Sequence, residues 1–336
     1  MDYRKLIGFG KGSFVVSVPK SWVDRNNLAK GNMIGIEETD EGIMLYPPTQ
    51  DIESKEKRIT ITADGKDIAR IKAEIISAYL NCFDVLEVVS TDLKTQGPEI
   101  KRILHDLAGL EILEQTSGRL LAKDLINIRE VSLPTLIRRM DIITRSMIED
   151  SMKCMTKECE PLSIAQRDQD VNRLHFLAHR VIRKGFSNPS YAKAIQRTPL
   201  QLQADQLVVL RLEKVADRQK RIARMLGSTG LSDIEIGNLK KIYQHLYQAY
   251  LDVMKAYYTN DVELAYKIEQ DGRIRMNMCS TFFTDHNHHH VELKKSKEQK
   301  CIHRHECGST ALILENLKAM STSIKYLAQT IMGGGG

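Results

Sequence analysis

The chain has 336 residues, of which 27% are charged and 42% hydrophobic, with a formal net charge of +6. This composition is typical of a globular protein with two or three domains. No segment resembles a membrane span, and the first residues, MDYRKLIGFG, lack the apolar region of a secretory signal. The cysteines are scattered, apart from Cys301 and Cys307, which favours a reducing cytoplasm over a disulfide framework.

Positive charge is concentrated at the beginning of the chain. Residues 1–35 contain six lysines and arginines but only two aspartates, and an acidic stretch, 37–41, follows them. A basic face of this kind attracts phosphate backbones.

Residues 1–50 predict a small β unit. The pattern indicates strands at 14–18, 33–37 and 43–46, with almost no helix, and Pro19 ends the first strand because it lacks a backbone donor. Some fifty residues of this kind cannot bury much core alone, so we expect a partner subunit.

Residues 55–130 predict a small α+β domain. KRITITAD and DVLEVVS have strand patterns, and KDIARIKAEIISAYLNCF between them has helical spacing. PEIKRILHDL indicates a helix with Pro98 in its first turn, and a hairpin turning at Ser117 and Gly118 follows.

From residue 131 onward the sequence predicts helices that form an antiparallel bundle. Ser163 with Gln166 and Ser232 with Glu235 have the spacing of capping boxes that open two of them. A charged, histidine-rich excursion at 283–308 interrupts the pattern. The expected helices lie near 133–157, 162–184, 198–226, 233–258, 261–282 and 309–332.

Residues 3–47 resemble the AbrB/SpoVT swapped-hairpin DNA-binding domain, in the form found in archaeal regulators. The match consists of a basic Gly-Ser stretch, an apolar strand, Pro-Lys-Ser-Trp, Leu-x-x-Gly-Asn-x-Ile and a closing Leu-x-x-Pro, with Asn32 where the family often has Asp. The resemblance implies a homodimer of interleaved hairpins that buries strand 14–18 and binds double-stranded DNA. The residues expected to contact phosphates are Arg4, Lys5, Lys11 and Lys20. Alternatively, these are ordinary surface charges on a dimerisation module.

The helical half, about 131–332, resembles the PhoU domain, two three-helix bundles in tandem. RDQDVNRLHFLAHRVI at 167–182 and RLEKVADRQKRIA at 211–223 carry the match. The resemblance implies a regulator linked to phosphate uptake, with a phosphate transporter or signalling protein as partner and metal sites made of carboxylates on facing helices.

A first metal site is expected at Asp168, Asn172, Glu213 and Asp217. Glu213 and Asp217 are four residues apart and share one helix face, but Asn172 stands where the family has a carboxylate. The alternative is that Asp217 pairs with Arg221 and Glu213 with its neighbour Lys214. In the second bundle Lys318 and Thr322 replace the expected carboxylates, and Arg275 follows Asp271 on the partner helix, so no second carboxylate site is expected.

The histidine-rich excursion contains ligand types that suit Zn or Fe, although their spacing matches no known zinc finger. A disordered polar insertion is the alternative. His175 and His179 also have a spacing that can bind metal, but we interpret them as helix surface. The candidate ligands of the excursion are His288, His290, Cys301, His303, His305 and Cys307.

The sequence therefore predicts a cytoplasmic transcription regulator that responds to phosphate or a metal ion and does not insert into a membrane. The alternative is a PhoU-type adaptor that binds transporter or signalling partners without reading DNA. No Gly-x-Ser-x-Gly, Walker A or dinucleotide fingerprint is present, so we expect no enzyme activity, and a metal-dependent enzyme is the least favoured interpretation.

Overall fold

The computed structural model describes residues 3–10, 12–39, 42–47, 56–156, 158, 160–226, 229, 231–293 and 303–333. For 37, 39, 286–293 and 303–308 it describes the backbone alone. The chain divides into two compact units, Met1–Glu56 and Lys57–Gly336, which are described separately.

The first unit contains two antiparallel hairpins and one short helix. Strands β1 (Ile7–Phe9) and β2 (Ser13–Val15) form the first hairpin, and β3 (Gly35–Thr39) and β4 (Gly42–Tyr46) form the second. Strands were expected near β2, β3 and β4, although β2 ends at Val15, three residues early, and β1 was not expected. Helix α1 (Lys20–Arg25) was not expected; it forms because the Pro19 carbonyl accepts hydrogen bonds from two amides of the first turn.

The second unit begins with a four-stranded mixed sheet covered by two helices, which confirms the α+β prediction. The sheet order is β5-β6-β8-β7, with β5 and β6 parallel and the other pairs antiparallel. Buried isoleucines of the helices, such as Ile71 and Ile100, pack in the same core as Leu86 and Leu120 of the strands. In chain order the elements are β5 (Arg58–Thr62), α2 (Ile68–Leu80), β6 (Val85–Val89), α3 (Leu93–His105), β7 (Leu110–Gln115) and β8 (Arg119–Asp124).

Helix α3 differs from its prediction. Pro98 lies inside this helix and not in its first turn. The first turn forms earlier because the Asp92 carbonyl accepts hydrogen bonds from the amides of Thr95 and Gln96, at 3.3 Å each. The hairpin predicted at Ser117 and Gly118 is confirmed.

Helices make up the remainder of the described second unit. The expected helix at 261–282 is divided at Asp271 into two, and a short helix, α6, was not predicted. The bounds around the predicted excursion were wrong, because residues up to Leu293 extend one helix and those from His303 begin the next. The helices are α4 (Leu133–Lys153), α5 (Pro161–Ser187), α6 (Pro189–Ala194), α7 (Pro199–Leu226), α8 (Asp233–Thr259), α9 (Val262–Gln270), α10 (Gly272–Leu293) and α11 (His303–Gly333).

The two predicted capping boxes have different outcomes. Ser232 and Glu235 form a capping box at the start of α8, as expected. Ser163 does not cap α5, because that helix begins earlier, at Pro161, with Glu160 in the capping position.

A buried ion pair connects the sheet to the helices. Arg180 of α5 is 2% exposed, and its guanidinium lies 2.6 Å from the carboxylate of Asp124, at the end of β8. The same guanidinium stacks 4.7 Å from the ring centroid of Tyr79 on α2. Residues 57–130 therefore belong to one compact unit with the helices, and their role as a separate linking domain stays a prediction.

Two further observations concern the length of the helices and the state of the cysteines. None of the described helices is long and apolar enough to cross a membrane. Cys154, just after α4, is disulfide-bonded, whereas Cys82 and Cys279 are free. The expectation of a reducing cytoplasm rather than a disulfide framework stays a prediction.

Candidate functional site

The first hairpin shapes the basic end of the chain. Gly8 pairs with Phe14 across β1 and β2, and Gly10 begins the turn between them with φ +70°, a conformation that favours glycine. Lys11, the candidate phosphate contact, is the next residue in the sequence, between β1 and β2. Lys11 itself lies outside the described part of the structure.

Three of the four predicted DNA-contacting residues are described, and all three are exposed. Arg4 donates a hydrogen bond from Nη1 to Oγ of Ser17, at 3.2 Å. That contact holds Arg4 beside the segment that leads into α1, where Lys20 is the first helical residue. Lys5 follows Arg4 on the approach to β1. The hydrogen bond between Arg4 and Ser17 therefore places Arg4 near the segment that carries Lys20.

The strands of the first unit expose their apolar side chains. Phe14 and Ile36 are each 70% exposed and Ile43 is 68% exposed. None of the residues whose burial is described in this unit, within 3–47, is buried. Apolar strands with no core of their own need a further surface to cover them.

The predicted carboxylate site of the helical half contains an internal cation. Asp168 of α5 is 4% exposed and accepts a hydrogen bond from the Lys220 ammonium at 2.6 Å. The same ammonium lies 3.0 Å from the carboxylate of Asp217. Asn172 donates from Nδ2 to Oδ2 of Asp168, the same oxygen that Lys220 contacts, at 3.2 Å. Lys220 on α7 therefore joins carboxylates from two helices.

The remaining contacts of this cluster are the ion pairs that the sequence offered as the alternative. Arg221 lies 2.8 Å from Asp217, and Lys214 lies 3.3 Å from Glu213. Burial raises the pKa of Asp217, but the bonds to Lys220 and Arg221 outweigh it, so the pKa is lowered overall. Within the described ranges, no group of three or more His, Cys, Asp or Glu side chains could hold a metal. The metal site at Asp168, Asn172, Glu213 and Asp217 stays a prediction.

The residues that replace the carboxylates in the second bundle lie on α10 and α11, and the expected lack of a second carboxylate site stays a prediction. Arg275 is 2% exposed and donates to the backbone carbonyl of Ile268, and burial lowers its pKa. Lys318 lies on α11 with Thr322 one turn later, and the Thr322 hydroxyl bonds back to the Lys318 carbonyl.

The histidine-rich candidates are only partly described. His288 and His290 lie on the last turns of α10, and His303, His305 and Cys307 lie on the first turns of α11. The structure describes only the backbone of these five, and Cys301 lies outside the described residues. The backbone at 303–307 is helical. Metal binding here stays a prediction.

His175 and His179 are half-buried rather than on the helix surface, so that interpretation was wrong. Their ring centroids are 4.5 Å apart, and Nδ1 of His175 is buried without a hydrogen-bond partner in the described residues. Burial, followed by the charge of His179, lowers the pKa of His175 to about 4. Sequence reasoning also missed Lys220. The only feature of the sequence that pointed to it is its position three residues after Asp217, a spacing at which two side chains on a helix can pair.

Comparisons with known proteins give two matches, one to the beginning of the chain and one to the fold of a larger part of it. Residues 10–53 match the family model of MazE, described as a bacterial antitoxin for antidote-toxin recognition. The structure resembles that of PhoU from Pseudomonas aeruginosa with a TM-score of 0.53, over 60% of this chain and 94% of that one. An AbrB/MazE-like domain precedes a PhoU-like fold. The identity to PhoU is 11%, so this likeness shows the fold alone. A search of curated proteins finds no match.

Proposed function

We propose that this protein is a DNA-binding transcription regulator that acts as a homodimer in the cytoplasm and responds to phosphate status. The observation that carries the proposal is the combination, within 3–47, of exposed apolar strands and exposed basic residues. We propose no catalytic role.

The exposed strands support the dimer. One chain leaves Phe14, Ile36 and Ile43 about two-thirds exposed or more. We infer that a second copy of the same unit covers these side chains, as the resemblance to the swapped-hairpin domain implies. Burial of these side chains would drive dimerisation, with a favourable free energy of about 1.5–3 kcal/mol for each large apolar side chain that becomes fully buried.

The charges support a nucleic-acid partner. Arg4 and Lys5 precede the first hairpin, Lys11 falls between its two strands in sequence, and Lys20 follows it. A dimer presents each of these residues twice. If about 4–6 phosphates are neutralised, the logarithm of the association constant falls with the logarithm of salt concentration with a slope near −4 to −5.

The helical unit supports a regulatory role. Its PhoU-like fold favours a link to phosphate regulation through protein partners, such as a transporter or signalling protein. The same fold supports the second candidate, an adaptor that binds those partners without reading DNA. A metal ion at the carboxylate cluster or the histidine-rich segment remains part of the proposal, although at the cluster it has to compete with the Lys220 ammonium.

A gel-shift titration of the full chain against duplex DNA tests this proposal. The variant Lys5→Glu/Lys20→Glu reverses two exposed charges of the first unit. The matched control, Lys94→Glu/Lys101→Glu, makes the same change of net charge on α3 of the second unit. Emission from Trp22, the sole tryptophan of the chain, checks that the first unit stays folded in each variant.

We expect the wild type and the control to shift DNA at 50 mM salt and to bind far more weakly at 200 mM. We expect the Lys5→Glu/Lys20→Glu variant to bind at least about tenfold more weakly than the control. Equal binding by both double variants, or no shift by the wild type at low salt, would favour the adaptor.

A further inference from the structure

A cavity of about 580 Å³ opens in the helical unit, away from the carboxylate cluster. It is lined by residues of α4, α7, α8 and α11, together with Arg197, which precedes α7, and Asn260, which follows α8. Its volume lies in the range that holds small organic ligands. Three of its lining residues are charged: Arg138, Arg197 and Asp205.

Asp205 does not make the cavity acidic, because its carboxylate is already engaged. It is 4% exposed and accepts hydrogen bonds from Nε of Arg197 at 2.8 Å and from the Tyr257 hydroxyl at 2.6 Å. The hydrogen bond from Arg197 to Asp205 fixes the guanidinium of Arg197 at the cavity wall. Nη1 of Arg197 bonds weakly to the Gln196 carbonyl at 3.3 Å, and Nη2 has no hydrogen bond within the described residues.

Arg138 supplies a second guanidinium, and the nearby carboxylate of Asp141 is not available to pair with it. Asp141, one turn later on α4, is 1% exposed and is bound through both oxygens by Arg145, at 2.9 and 2.6 Å. The hydroxyls of Tyr250 and Tyr258 also donate to Asp141. Arg138 instead lies over the ring of Tyr258, 4.9 Å from its centroid, and has no ion pair with any described carboxylate.

The cavity therefore carries a surplus positive charge on two guanidiniums that the surrounding network holds in place. Guanidinium groups bind phosphate through paired N–H donors, and Thr135, Gln201 and Asn260 add neutral polar groups to the wall. We propose that this cavity binds a phosphate group, with Arg138 and Arg197 as its ligands. The volume favours a phosphate monoester of nucleotide size over the free anion.

The proposal does not depend on DNA binding, and calorimetric titration of the full chain tests it. The probes are AMP, inorganic phosphate and adenosine. The main variant is Arg138→Gln, which removes an exposed charge without leaving a buried carboxylate unpaired. The matched control is Arg139→Gln, on the neighbouring exposed position of α4, which does not line the cavity.

A second variant, Gln201→Glu, adds a negative charge at the cavity. Gln201 Oε1 accepts a hydrogen bond from the Thr198 amide at 3.0 Å, and a glutamate oxygen can accept the same bond, so the start of α7 is preserved.

We expect AMP to bind the wild type and Arg139→Gln equally, and each of the other two variants at least about tenfold more weakly. Adenosine should bind at least tenfold more weakly than AMP. Tighter binding of AMP than of inorganic phosphate supports an ester as the ligand, and the reverse order supports the free anion. The proposal is overturned if neither phosphate probe binds at 10 mM, if adenosine matches AMP, or if Arg138→Gln binds like the wild type.

Discussion

Acid should destabilise the helical unit through His175, and replacing this residue should remove that effect. His175 of α5 is packed against His179 and Phe176, and burial is the main cause of its lowered pKa. The charge of Lys214 on α7 lowers the pKa further, whereas a hydrogen bond with the Val209 backbone opposes the shift. The folded protein therefore keeps this imidazole neutral at pH values where the unfolded chain protonates it.

The size of the effect follows from linkage. The pKa of His175 is about 4 in the folded protein, against 6.5 as the ordinary value. Between these values the unfolded state binds more protons, so the free energy of unfolding falls as the pH falls. From pH 7 to pH 5 the expected loss from this one residue is about 2 kcal/mol. The pKa of His179 is also lowered by burial, which adds a contribution of the same sign.

Urea unfolding followed by far-ultraviolet circular dichroism measures this loss at pH 7 and pH 5. The variants are His175→Phe and His175→Gln, and the control is His245→Gln, at an exposed position of α8. Carboxylates contribute equally in all of them, so we expect the drop in stability to be about 2 kcal/mol smaller in both His175 variants than in the control. The same drop in every protein would show that His175 titrates normally in the folded state.

Two further predictions concern buried ion pairs. Arg180→Leu should lower the free energy of unfolding by about 3–5 kcal/mol, because it leaves Asp124 buried and unpaired, while Arg180→Leu/Asp124→Ala should recover much of that loss. Thermal unfolding measures both variants, and equal losses of stability in the single and double variants would contradict the argument. Lys220→Met should cost about 2–4 kcal/mol and leave Asp168 and Asp217 open to a cation, so Mn²⁺ should raise the Tm of this variant and not that of the wild type. An equal rise in the wild type would show that a metal reaches these carboxylates despite the ammonium.

Local patterns in the sequence were sufficient for most elements of the fold. Alternation predicted β5, a short apolar run predicted β6, and Ser232 with Glu235 marked the start of α8. The wrong predictions at α1 and α3 both concern the position of a proline relative to the start of a helix. Pro19 was interpreted as the end of a strand, but its carbonyl also opens α1, and Pro98 was placed at the start of a helix that begins at Leu93.

The site was harder to predict because its contacts join distant parts of the chain. Lys220 and Asp168 are 52 residues apart, and only the packing of α5 against α7 brings them together. The sequence showed the carboxylates and the local ion pair with Arg221, but not that an ammonium lies between two helices. Arg138 and Arg197 likewise line one cavity without any shared motif.

Sedimentation velocity of the full chain with a fluorescent DNA duplex at low ionic strength tests the central proposal most directly. We expect the free protein to sediment as a dimer and two chains to move with each occupied duplex, with the complex dissociating as salt is raised. A monomeric protein, or a duplex whose sedimentation is unchanged by the protein at low salt, would contradict the proposal that paired N-terminal units bind DNA.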